Sequence, residues 1–419
     1  MTAHVLQKSA AETALARQFA AQEALTPSPR RAAAFARFAQ RGLPTRRVES
    51  WHYTDLRAAM ADAAPPAPEP NEAAIEAARE RLVRREQIGA ARVVLVNGRY
   101  VEELSSGLPA GVAIDVGEPR PAEVEDPLVA LNEAMSPRGC AIRVSDGVEI
   151  VEPIEIVHVA IGEGAYAVYS RAWIAVGGGA RASFFEAFLG AGLAVQRHAA
   201  TILSIADSAR AKHVAMIGDD AGLHVESLIC EVAANAQLNA FALVSGGALS
   251  RRQIFVSIAG ADAQVALGGL TLIDEARRAD TTLQVMHSAP GGTSREFYRA
   301  IVDDDAVGTF QGKVIVDGAA QKTDGGMKSQ AILLSPRAQM NAKPELEIFA
   351  DDVICGHGAT VGSLDPEQIF YLRSRGIAKD EAEAMLLEAF GVEAIERVDD
   401  PALASVLSGA LRNWLSLEG

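Results

Sequence analysis

The chain has 419 residues, 49% of them hydrophobic, and a formal net charge of -15 at pH 7. That is enough apolar material for one large domain or two to three modest ones, and it excludes disorder as the state of the whole chain. The acidity excludes nucleic acid as a partner, because neutralising phosphates needs a basic surface.

Helices are expected over 8–25 and 30–41, with Leu15, Phe19, Phe35 and Phe38 as packing residues and Gly42-Leu43-Pro44 as the stop. Residues 1–60 hold nine Lys/Arg against four acids, so this segment is +5 and the remainder -20. A solvated basic face is the plainer reading, and a subunit contact the sharper one. Trp51 and Tyr53 flank His52 and read as plugs fixing the helical layer to a core. The run Ala64-Pro65-Pro66-Ala67-Pro68-Glu69-Pro70 reads as a stiff, extended linker before one more helix near 71–87. Strand grammar begins at Ala91–Val96, where Asn97-Gly98 marks a turn.

From about residue 140, short alternating runs such as Arg171–Val176 recur between turns rich in Gly, Asp and Ala. Small-residue pivots at Ala180, Ala209, Ala236, Ala263, Ala306 and Ala338 are spaced by 29, 27 and 27 residues, then 43 and 32. Two strands per period with no room for crossover helices is the grammar of a β-helix, in which each coil buries its face only against its neighbours. A β-sandwich, which also shows short strands at regular spacing, is the competing reading. After residue 362 the pattern turns helical. Asp365-Pro366 starts one helix, which Gly376 stops. A second, near 379–390, carries Ala382, Met385, Leu386, Ala389 and Phe390 on one stripe and ends at Gly391. A third starts at Asp400-Pro401, with Leu403, Val406, Leu407, Ala410, Leu411, Trp414 and Leu415 on one face.

The chemistry concentrates in Lys343–Gly376. Cys355 and His357 lie two apart, so on a strand a thiol and an imidazole emerge on one face. Both are good ligands for iron or zinc, but two are too few for a cluster or a tetrahedral metal. The pair therefore reads as a half-site, completed by another subunit or occupied transiently; a buried thiol beside a structural histidine is the plainer alternative. Cys230 reads as a packed thiol and Cys140 receives no role. His158, His198, His213, His224 and His287 are scattered singly, as structural histidines are. Asp303-Asp304-Asp305 reads as a solvated turn, and Gly325-Gly326-Met327-Lys328-Ser329 lacks the spacing of a phosphate loop. Three cysteines without a CxxC pair suit a reducing cytoplasm. No apolar run of 18 residues and no secretory start is read, so a cytoplasmic chain without a membrane span is expected.

The string Lys343-Pro344-x-Leu346-Glu347-Ile348-x-Ala350-Asp351-Asp352-Val353-x-Cys355-x-His357-Gly358-Ala359-Thr360-Val361-Gly362, followed by Phe370–Ile377, closely resembles the SufD signature of the SufB/SufD family. The segment from Gly42 to Leu56 is similar to that family's N-terminal pattern. The resemblance implies a right-handed parallel β-helix (89–362) between an N-terminal helical domain (1–88) and a C-terminal helical domain (363–419). It implies a non-catalytic scaffold of iron–sulfur cluster assembly that pairs with SufB and docks the SufC ATPase, with self-pairing possible when SufB is absent. His357 and Cys355 would then help build a transient cluster shared with SufB, and His357 would act in iron acquisition. Tyr371, Arg373, Arg375, Met385 and Phe390 become the expected docking residues for the ATPase. A carbohydrate-active β-helix enzyme is the alternative; sparse aromatics and the missing secretory start weigh against it.

Overall fold

The computed structural model describes residues 8–89, 91–117, 121–136, 138–190, 192–218 and 221–416. Most of the N-terminal stretch from which the lack of a signal was inferred, and Pro137 ahead of Cys140, lie outside them. Strands between Ala91 and Gly362 alternate between two sheets, and nearly all neighbours in each sheet are parallel. From Gly139 onward they wind as a parallel β-helix of about eight coils, two strands to a coil. The sandwich alternative is excluded by that pairing, since sandwiches are built from antiparallel sheets.

The corners explain the alanine pivots. At one corner of successive coils a residue takes a left-handed backbone: Gly179, Ser208, Asn235, Asp262, Gly291 and Lys322. Gly, Asn and Asp tolerate that conformation best. The residue that follows is small and buried in four of these coils, Ala180, Ala209, Ala236 and Ala263. The next two coils place Gly292 and Thr323 there. Ala306 and Ala338 instead precede strands of the other sheet, Val307–Val316 and Gln339–Ile348. The irregular spacing of 43 residues thus comes from mixing two corners.

Alternation divides each strand between inside and outside. The inward side chains form the central apolar core, including Ile142, Ile174, Phe184, Leu203, Leu228, Ile254, Leu283 and Phe310. The outward faces are covered by helices. On one sheet Leu15, Phe19, Phe38, Trp51, Leu56 and Met60 pack over Tyr169, Val225 and Leu249, together with the helix Pro127–Met135. Trp51 is fully buried, with the Arg251 guanidinium 4.1 Å from its ring centroid. Tyr53 is only half-buried. The helix Pro127–Met135 was not read from sequence, because its Leu128-Val129-Ala130-Leu131 run is buried all round and shows no amphipathic period.

The proline-rich stretch is extended but is no spacer. Ala67 donates its backbone N–H to the Ala167 carbonyl at 2.7 Å, and Ala167 donates to Pro65 at 2.8 Å, so the segment lies against the solenoid. Asn97 and Gly98 both have positive φ, as a two-residue hairpin turn requires.

On the other sheet Phe241, Leu243, Leu270, Leu272, Phe297 and Ile301 receive Leu387, Ile395, Leu403, Leu407 and Leu411 from the C-terminal helices. Here Gly391 stops nothing. The helix runs Lys379–Ile395 straight through it. A Cβ at Gly391 would meet Leu411 Cδ2 at 2.6 Å, so glycine is required for close helix packing. The buried stripe is accordingly Ala382, Leu387, Gly391, Ala394 and Ile395, and Met385 is left exposed. Asp365 and Asp400 cap their helices as expected, accepting from the N–H groups of Glu367 and Leu403. Among the described residues no helix is long and apolar enough to cross a membrane.

Candidate functional site: the open end of the β-helix

The last coil differs from all the others. Its strands, Gln339–Ile348 and Ile354–Gly362, each pair with a preceding strand on one edge only. No residue of either strand is fully buried. Ile348, Phe349, Ile354 and Val361 form an exposed apolar rim, with Ile354 at 76% and Phe349 at 67% exposure. An unpaired strand edge is a template for another strand, and apolar residues there mark an interaction site. Sequence reading missed this rim; the signal was apolar residues closing the alternation with no further coil to cover them.

Cys355 and His357 sit on that last strand, opposite Gly325 and Met327. Met327 is buried in the central core and Cys355 packs against it. By alternation both Cys355 and His357 therefore belong to the inward column, at the point where the solenoid is open. The Cys355 thiol is half-buried, and a Cβ at Gly325 would lie 3.4 Å from its Sγ. Burial pushes its pKa up, and the charges of Asp324 and Glu296 add to this against a hydrogen bond from the Gly325 backbone. The resting thiol is therefore held protonated and would have to lose its proton to bind a metal. His357 is exposed.

Two donors are side by side, and among the described residues no group of three or more His, Cys, Asp or Glu is placed to hold a metal. The other cysteines do not contribute. Cys140 is fully buried, with its thiol pushed up by burial to about 12, and burial also raises Cys230. The remaining strand histidines are interior and structural. His158 and His213 each direct Nε2 to the buried carboxylate of Glu186, at 2.7 and 2.8 Å. His198 stacks on Tyr169, and burial lowers its pKa to about 3. The Asp303–Asp305 turn lies at the surface, where Arg337 pairs with Asp305 at 2.7 Å.

The docking residues read from sequence separate into two groups. Tyr371, Arg373 and Arg375 lie on or just after the helix Pro366–Ser374, none of whose residues is buried. Arg375 covers the Tyr371 ring at 5.1 Å, and the neighbouring Phe370 is 75% exposed. Met385 is also at the surface. Phe390 instead turns inward: it packs against the C-terminal core, with Arg299 at 4.2 Å from its ring centroid.

Residues 159–390 match the SufBD core domain of the SUF system for FeS cluster assembly, and residues 16–116 match the SufBD protein N-terminal region. The chain belongs to the SufBD family and has a role in iron–sulfur cluster assembly.

Within that family it is similar to SufD. It is 29% identical over 381 residues to the iron–sulfur cluster assembly protein SufD of Escherichia coli, covering 86% of this chain and 87% of that one. It is 36% identical over 109 residues to SufD of Bacillus subtilis, covering 26% of this chain and 25% of the relative. It is also 33% identical over 178 residues to the chloroplastic protein ABCI7 of Arabidopsis thaliana, covering 42% and 38%.

Proposed function

We propose that this chain is a non-catalytic scaffold subunit that pairs with a SufB-type subunit through the open end of its β-helix. It then helps build the nascent cluster there as cargo. The observation that carries the reading is the position of Cys355 and His357, a thiol and an imidazole on the exposed last strand of the solenoid. Strand addition along Ile354–Gly362 would satisfy its unpaired backbone groups and cover the rim of Ile348, Phe349, Ile354 and Val361. The partner would supply the ligands that this half-site lacks.

His357 would offer an imidazole nitrogen to incoming iron, and Cys355 would deliver a thiolate once its proton is displaced. The C-terminal helices of 363–419 would hold the ATPase subunit. Their surface-facing residues Phe370, Tyr371, Arg373, Arg375 and Met385 form the docking face, and Phe390 supports it from beneath. The 1–88 segment would brace the opposite sheet. Membership in the family sets aside the carbohydrate-active alternative.

Co-expression with its own SufB-type and ATPase subunits tests this. A stable complex with one copy of this chain and two of the ATPase is expected. A monomer or homodimer that ignores both partners would overturn the scaffold reading.

A further inference from the structure

The open end also carries a cavity of about 630 Å³, lined by residues of the last three strands of one sheet, Glu296 and His357 among them, and by Arg397 from the turn Glu396–Val398. Alternation puts Gly326, Lys328, Gly356 and Gly358 on the outward face, opposite the inward column of Cys355 and His357. The floor is Phe297, 5% exposed. The Arg397 guanidinium lies 3.9 Å from its ring centroid and the Lys328 ammonium 5.8 Å.

Both cations are exposed, and among the described residues neither forms a salt bridge. Arg295 at the rim is already paired with Asp324 at 2.6 Å. Glu296, the acidic residue at the cavity wall, shares the inward column of Met327 and is buried. The exposed charges lining the cavity, Arg295, Lys328 and Arg397, are thus all basic on a chain of net charge -15. Two unpaired cations over one ring repel each other, and an anion between them removes that cost. The glycines point the same way. A Cβ at Gly356 or Gly358 would meet nothing within 4 Å, so packing does not require glycine at either position. What the missing side chains provide is an open floor.

We propose that this pocket binds a small, multiply charged oxyanion of the pyrophosphate or polycarboxylate class between Lys328 and Arg397. The guanidinium presents a planar fork to two oxygens and the ammonium a mobile point charge, a combination that suits either chemistry. The volume lies within the range of small-molecule sites. His357 borders the same cavity, but the test reads anion binding without iron or sulfide, so its outcome is separate from that of cluster assembly.

The test is calorimetric titration of the full chain with pyrophosphate and, separately, with citrate, at constant ionic strength. Saturable binding of one equivalent is expected, and whichever probe binds more tightly identifies the phosphate or the carboxylate source. The double variant Lys328→Ala/Arg397→Ala should weaken it at least about tenfold. Gly358→Leu should weaken it similarly, because its Cβ meets nothing within 4 Å and the rest of the side chain enters the cavity. Arg47→Ala, which removes an exposed cation that does not line the cavity, should change nothing. No saturable binding of either probe, binding retained in the double variant, or an equal loss in Arg47→Ala would overturn the proposal.

Discussion

His213 and His357 occupy the same inward column of one sheet, linked through Ala240, Leu267, Glu296 and Met327. His213 is fully buried, and Glu186 accepts from it at 2.8 Å, from His158 at 2.7 Å and from the Thr201 hydroxyl at 2.8 Å. His357 stands at the end of that column, exposed. The difference lies in what covers the coil. Inside the solenoid an unpaired polar side chain is costly, and Glu186 supplies the pairing for both histidines. At the open end the same position leaves a donor free for something brought from outside.

The largest expected effect separates these two ends. Glu186→Ala strands two histidines and a threonine in the core and should cost about 3–5 kcal/mol of unfolding free energy. His357→Ala, at the surface, should cost under about 0.5 kcal/mol. Urea titrations of the two variants check this, and equal losses would erase the contrast. Burial alone would raise the Glu186 pKa, but the hydrogen bonds and charges of His158 and His213 outweigh it and hold the pKa well below the ordinary 4.5. The stability Glu186 contributes is thus present above pH 4.5 and lost as the pH falls below it.

Glu296 sharpens the comparison, because it lies in the same column without a cationic partner in the core. Burial pushes its pKa up to about 7 from 4.5. The folded chain then binds the extra proton between those values, so stability falls as the pH rises through that window, by about 3 kcal/mol in total. Glu296→Gln should flatten this fall; a curve as steep as that of the wild type would place the proton elsewhere.

Two glycines probe the covered and the open surface in turn. Gly391→Ala pushes a Cβ into Leu411 and should cost about 1–3 kcal/mol, read as a lowered denaturation midpoint. Gly356→Ala meets nothing and should stay within about 0.5 kcal/mol of the wild type. The smallest stability effect belongs to Phe370→Ala/Tyr371→Ala on the helix Pro366–Ser374, none of whose residues is buried. This variant should melt with the wild type but fail to retain the ATPase in a pull-down. Unchanged retention would move the docking face elsewhere on the C-terminal helices.

Much of this was legible in the residues. Alternation and recurrent Ala pivots gave the coils, Asp365-Pro366 and Asp400-Pro401 gave two helix starts, and the Cys-x-His spacing put both donors on one face of the last strand. The unread parts have physical causes. Gly391 looks like a stop in one dimension but is a contact in three, with Leu411 opposite. Ala306 and Ala338 look like the pivots before them, although they turn the other corner. Phe390 shares a helical stripe with Met385, yet one faces Arg299 and the other solvent. The Lys328–Arg397 pocket joins residues far apart in sequence, so no local pattern announces it.

The central claim is that His357 serves the cluster and not the fold. The direct measurement is anaerobic reconstitution of the purified three-subunit complex with wild-type chain and with His357→Ala, reading iron and sulfide per complex. The account predicts an intact complex of unchanged stoichiometry that accumulates no cluster. A His357→Ala complex that fills to the wild-type level would contradict it.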